Sequence, residues 1–177
     1  MVAGLAAALL AVNAQAALPG AAPTLTERGV GCSAAAAGEV CANLFAGGGP
    51  MAPGGPAEVR TAVLTLNGGS ASTMVGLYFQ GFASRGPASD RICSATDPAS
   101  KFDFTVTAGG RVLYEGTLAD FAATHLSPST ELLIPGRSDR WAHGETVPVT
   151  FAVKLDRSAD NSYMGCASDT EFVWLAE

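Results

Sequence analysis

The stretch Val147-Pro-Val-Thr-Phe-Ala-Val-Lys-Leu155, followed by Asp156-Arg-Ser-Ala-Asp-Asn-Ser-Tyr-Met-Gly-Cys166 and Phe172-Val-Trp-Leu175, decides the fold class. The first run alternates apolar and polar residues, the period of a half-buried strand. The middle is rich in Asp, Asn and Ser, residues that cap their own backbone in turns. The last run is aromatic and β-branched, as strands favour. The reading is a closing pair of β-strands, stapled near the turn by Cys166, with no catalytic signature.

Working back from there, the same alphabet recurs. Val59, Thr61, Val63, Thr65 and Asn67 alternate with Arg60, Ala62, Leu64 and Leu66. Asn67-Gly-Gly-Ser70 is a turn signal, and Thr73–Phe82 is the next strand. These two runs form a hairpin or face one another across a sandwich. Lys101–Thr107, with Phe102, Phe104 and Val106 on one face, turns at Ala108-Gly-Gly-Arg111 into Val112–Tyr114, the clearest hairpin. Thr117 is a helix N-cap with Asp120 at N3, opening one or two helical turns over 117–123. Leu132–Ile134 is a short strand closed by Pro135-Gly136. Asp160-Asn-Ser162 is a turn or a single helical turn. A long strand runs from Gly144-Glu145 to Asp156, in which Pro148 argues for an edge position or a strand start. The sum is an all-β, jelly-roll-like β-sandwich with one or two short helices in the connections.

Composition agrees. Only 15% of residues are charged, while Gly numbers 21 and Pro 10, as expected of a turn-rich β domain. The net charge is −6 with 10 Lys plus Arg, which disfavours nucleic acid as a partner. At 177 residues, one core is expected.

The first charged residue is Glu27. The apolar run Val2–Val12 followed by Asn13-Ala-Gln-Ala16 reads as a secretory signal peptide over residues 1–16, too short for a stable membrane span. A basic n-region is missing, so the rival reading is a soluble Ala-rich arm. Residues 17–50 form an Ala/Gly-rich N-terminal arm, within which Thr24-Leu-Thr-Glu-Arg28 is strand-like, and residues 51–177 form the sandwich domain.

Four cysteines, Cys32, Cys41, Cys93 and Cys166, fit an exported domain with two disulfides. Three pairings are open; the expected set is Cys32–Cys41, which closes a small loop, and Cys93–Cys166, both in Ser/Asp-rich turns. A zinc site is disfavoured because no Cys-x-x-Cys pair exists and His125 and His143 lie far from the cysteines in sequence. Asp156, Asp160 and Asp169 could together hold calcium, but no EF-hand spacing is present and turn-capping is the preferred reading. No His-Glu-x-x-His, nucleophile elbow or phosphate loop occurs, so no enzyme and no cofactor are expected. Most aromatic residues fall on strand positions and read as core. Trp141, with His143 beside it in a polar loop, is either a ligand contact or a lid on the core, the lid being preferred.

Several segments resemble the TasA/camelysin proteins: Met51-Ala-Pro-Gly-Gly-Pro56 and Thr65-Leu-Asn-Gly-Gly-Ser-Ala71; Leu113-Tyr-Glu-Gly-Thr-Leu118; Ile134-Pro-Gly136; and Ala159-Asp-Asn-Ser-Tyr-Met-Gly165 with Phe172 and Trp174 closing. The likeness covers Met51 to Glu177. It departs at Met164, where Gln is usual, in the signal region without basic residues, and in the four cysteines. The resemblance implies a jelly-roll-like subunit, exported to the cell surface or biofilm matrix, that polymerises into extracellular fibres. In that family an N-terminal segment of one subunit completes the sheet of the next. Here the candidate donor strand lies at Ala17–Val30, including Thr24, Leu25 and Thr26. The implied partners are other copies of the chain, with other matrix proteins or polysaccharide as further candidates. Camelysin's protease activity is not carried over, because no zinc-peptidase motif is present. The rival functions are a monomeric cell-surface binding module for polysaccharide, using Trp141 and His143, and an unrecognised hydrolase. The arm could instead fold back on its own domain.

Overall fold

A computed structural model describes residues 23–28, 32–35, 38–41, 50–68, 73–85, 98–163 and 166–177. The signal-like segment 1–16, Ala17, Val30 and Cys93 lie outside the described residues.

Among the described residues, ten strands form two antiparallel sheets. The first has the order β1 (Thr24–Arg28), β4 (Glu58–Asn67), β9 (Thr146–Leu155), β6 (Phe102–Ala108), β7 (Arg111–Thr117). The second has the order β2 (Cys32–Ala35), β3 (Gly38–Cys41), β10 (Ala167–Ala176), β5 (Val75–Arg85), β8 (Leu132–Leu133). The chain passes repeatedly from one sheet to the other, and the fold is the all-β sandwich expected from the sequence.

The alternation in the sequence sets the faces. β4 buries Ala62, Leu64 and Leu66; β9 buries Val147, Val149, Phe151 and Val153; β6 buries Phe104, Val106 and Ala108. From the other sheet, Val75, Leu77, Phe79, Phe172 and Trp174 complete the core. An odd–even pleat admits only one of the two side-chain sets to the interior, so these strands cannot slip by one residue without turning the core outward.

The two terminal strands are not a hydrogen-bonded pair. β9 sits between β4 and β6, and β10 between β3 and β5, in opposite sheets. They meet face to face instead: Phe151 lies 5.1 Å from Phe172 and 5.9 Å from Trp174, centroid to centroid. Likewise β4 and β5 face each other across the sandwich and are no hairpin. Pro148 stands in an interior strand, but at its start, one residue before the pairing of β9 with β6 begins at Val149↔Ala108. A proline that cannot donate is tolerated there.

The connections follow local rules. Gly109 and Gly110 turn β6 into β7 with φ of 55° and 79°, conformations that cost a residue with a Cβ. Thr117 caps helix α1 (Leu118–Thr124): its Oγ1 accepts the Asp120 N–H at 3.0 Å and donates to the Asp120 carboxylate at 2.7 Å. α1 closes one end of the sandwich by burying Leu118, Phe121 and Ala122. Asn161–Tyr163 is a single 3-10 turn.

The sandwich reaches back to Thr24. Residues of the 17–50 arm supply β1 at one sheet edge and the β2–β3 hairpin at an edge of the other.

Candidate functional site

Two sites gather the residues singled out in the sequence. The first is the outer edge of β4. β1 lies against it with Thr24↔Asn67, Leu25↔Leu66 and Thr26↔Thr65 in register, and Leu25 packs against the core. Among the described residues, β1 has one neighbour in its sheet. Thr24–Arg28, the strand within the candidate donor segment, thus occupies a strand position of its own domain in this structure.

The second is the segment from Ile134 to Glu145, which connects β8 to β9. Trp141 is fully buried, its Nε1–H donating 2.7 Å to the Ile134 carbonyl and its backbone N–H 2.9 Å to the Thr73 carbonyl. It is a lid on the core, and its ring is not available to a ligand. His143 is exposed; its Nδ1 accepts the Gly68 N–H at 2.9 Å. Gly144 N–H to the Leu66 carbonyl (2.8 Å) and Leu66 N–H to the Glu145 carbonyl (3.0 Å) fasten the same loop to the end of β4. Thr24, Leu25 and His143 therefore converge on one corner, around Leu66–Gly68.

Glu145 organises the rest of this loop. Its Oε1 accepts the Arg137 N–H at 2.6 Å and its Oε2 the Ala142 N–H at 2.9 Å. A carboxylate with both oxygens on backbone donors closes the loop as a charge-assisted clamp. Gly136 sits beneath it: a Cβ there would overlap the Arg140 carbonyl oxygen and stand 2.9 Å from the Arg140 carbonyl carbon and 3.1 Å from Glu145 Oε1. Replacing Gly136 with Ala is expected to cost about 1–3 kcal/mol through backbone displacement, read as a lowered urea midpoint at unchanged slope. A midpoint equal to that of the parent would show that the loop yields freely.

Between this loop and the β6–β7 turn lies an open cleft of about 340 Å³. Arg111, Arg137 and Glu145 line it together with Ala108, Pro135, Val147 and Pro148. Arg111 reaches Asp139 at 3.7 Å, but their side chains are 70% and 85% exposed, so water screens the pair. Asp139 itself has a φ of 61°. Sequence reasoning missed this cleft because three separate segments build it.

The remaining candidates are placed as follows. Cys32 and Cys41 are register partners on β2 and β3. Cys166 is disulfide-bonded. Asp156 accepts the Ser158 N–H at 2.6 Å through Oδ1; hydrogen bonds from Ser158 hold its carboxyl below the usual range. It thus caps its own turn. Asp160 lies just before the 3-10 turn and accepts, through its carbonyl, the Tyr163 N–H. Asp169 is on β10. No group of three metal-ligating side chains and no helix long and apolar enough to cross a membrane occur among the described residues. Burial, with Asp120 nearby, raises the Tyr114 phenol above its ordinary value, and its hydroxyl donates to the Thr117 carbonyl at 2.9 Å.

The geometry defines a class: an all-β sandwich with a peripheral N-terminal strand and an arginine-lined cleft. No family model matches the chain, and no curated protein matches it.

Proposed function

We propose that this chain is an exported, non-enzymatic structural subunit that self-associates by exchanging its N-terminal strand. The observation that carries the reading is the position of Thr24–Arg28: a five-residue strand at a sheet edge that, among the described residues, pairs with β4 alone. If β1 leaves β4, the exposed edge offers unpaired N–H and C=O groups, and β1 of another copy restores the same register. The bonds broken equal the bonds formed, so concentration and the linker decide between closed monomer and open polymer. Heterologous addition of this kind does not close and grows as a fibre.

Export fits the signal-like run 1–16 and the cysteine content. The register pairing of Cys32 with Cys41 supports a bond between them, and the bonded state of Cys166 is compatible with Cys93 as its partner. Other matrix proteins and polysaccharide remain further partners of this proposal.

Negative-stain microscopy of the mature chain tests it. Fibres are expected, and deletion of residues 17–30 should abolish them. A synthetic peptide covering 17–30 should then raise the melting temperature of the truncated protein by refilling the β4 edge. A strictly monomeric species with intact termini, at concentrations where the peptide binds, sinks strand exchange. A second reading, a polysaccharide-binding module, is favoured by the arginine-lined cleft.

A further inference from the structure

We infer that the cleft between the β6–β7 turn and the Pro135–Pro148 segment binds a carboxylate-bearing sugar, such as a uronate residue of an acidic polysaccharide. The inference deepens the second reading above and is independent of strand exchange.

The cleft joins two chemistries that such a ring presents. Arg111 and Arg137 supply cationic forks suited to a planar carboxylate. Pro135, Val147, Pro148 and Ala108 supply apolar surface for the C–H face of a pyranose. Its volume of about 340 Å³ stands at the lower end of ligand sites, fitting one or two sugar rings and not a larger cofactor.

Local charge favours an acidic ligand. The chain carries −6 overall, yet two of its 10 Lys and Arg residues, Arg111 and Arg137, line this one cleft. Both oxygens of Glu145 are engaged by backbone N–H groups, and Asp139 forms only a long, solvated contact with Arg111. A ligand carboxylate can replace Asp139 at Arg111 without breaking a buried interaction.

A sugar acid fits better than a bare phosphate. The Arg137 N–H, a natural phosphate donor, is already taken by Glu145, and the site is half apolar.

The test uses the full mature chain and NMR titration with oligogalacturonate, a neutral glucose oligomer and inorganic phosphate, each separately. Oligogalacturonate should shift amide resonances of 108–111 and 135–148, weaken as salt rises, and leave the rest of the spectrum unchanged. The double variant Arg111→Ala/Arg137→Ala should bind at least about tenfold more weakly while retaining the parent's melting temperature, since Arg111 is exposed. Arg111→Lys should lose part of the affinity, because an ammonium cannot make a two-point contact. The proposal is overturned if the neutral oligomer shifts the same resonances equally, if phosphate binds as tightly as the uronate, or if the double variant binds unchanged. Fibre growth of the double variant, scored in parallel, separates failure here from failure of strand exchange.

Discussion

Phe104→Ala is expected to destabilise the sandwich by about 3–5 kcal/mol, the range for emptying a fully buried aromatic position. Phe104 is completely buried on β6 and is the hub of the aromatic core. Its ring lies 5.2 Å from Phe121 edge-on, 5.9 Å from Phe79, 6.2 Å from Phe151 and 6.2 Å from Phe172. It touches helix α1 and both sheets at once. Truncation removes the transfer energy of the ring and leaves a void that three rigid elements cannot fill together. Phe104→Leu keeps most of the volume and should cost less than about half as much. Urea unfolding of both variants checks this: a midpoint drop for Ala no larger than for Leu would mean that the sheets collapse onto the gap. Against a total of about 5–15 kcal/mol for a domain, the Ala variant should show a measurable unfolded fraction at ambient temperature.

Much of this core was legible in the sequence. The alternation marked 58–67, 102–108 and 146–155 as strands and put Phe104 and Val106 on one face, while for 58–67 it left open which of its two sets turns inward. The cap at Thr117 was legible from Thr and Asp three residues apart. Strand partnership was not. Alternation separates the two faces of a strand but does not say which neighbour supplies the ladder, so 147–155 and 172–175 were read as a pair when they face each other across the core. β2 and β3 were missed because four-residue runs of Ala, Gly and Cys carry little strand propensity; only Glu39-Val40-Cys41 hinted at it. The cleft was illegible for a different reason. Its arginines come from a hairpin turn and a loop far apart in the chain, and nothing local links Gly110-Arg111 to Gly136-Arg137. Trp141 could be read either way, since an aromatic in a polar loop looks the same whether it faces solvent or the core.

Trp141→Ala should rival the Phe104 variant, at about 3–5 kcal/mol, but by a second route. The indole is buried and its N–H satisfies the Ile134 carbonyl at 2.7 Å. Removing it opens a cavity and also orphans that acceptor, a penalty of about 1–3 kcal/mol if water does not reach it. Trp141→Phe separates the two, because it keeps most of the packing and loses only the donor. Phe should therefore cost about 1–3 kcal/mol and Ala clearly more, both from equilibrium unfolding. The backbone of residue 141 also bridges Thr73, and Ile134 N–H reaches the Val75 carbonyl at 2.8 Å, so this loop is moored to the start of β5. Loosening it should release the wall that carries Arg137, and amides 135–145 should exchange faster in Trp141→Ala than those of β4 or β6. Uniform acceleration across the sandwich would show instead that Trp141 supports the whole core and not this loop in particular. A Phe variant as costly as Ala would assign the effect to the lost hydrogen bond rather than to the cavity.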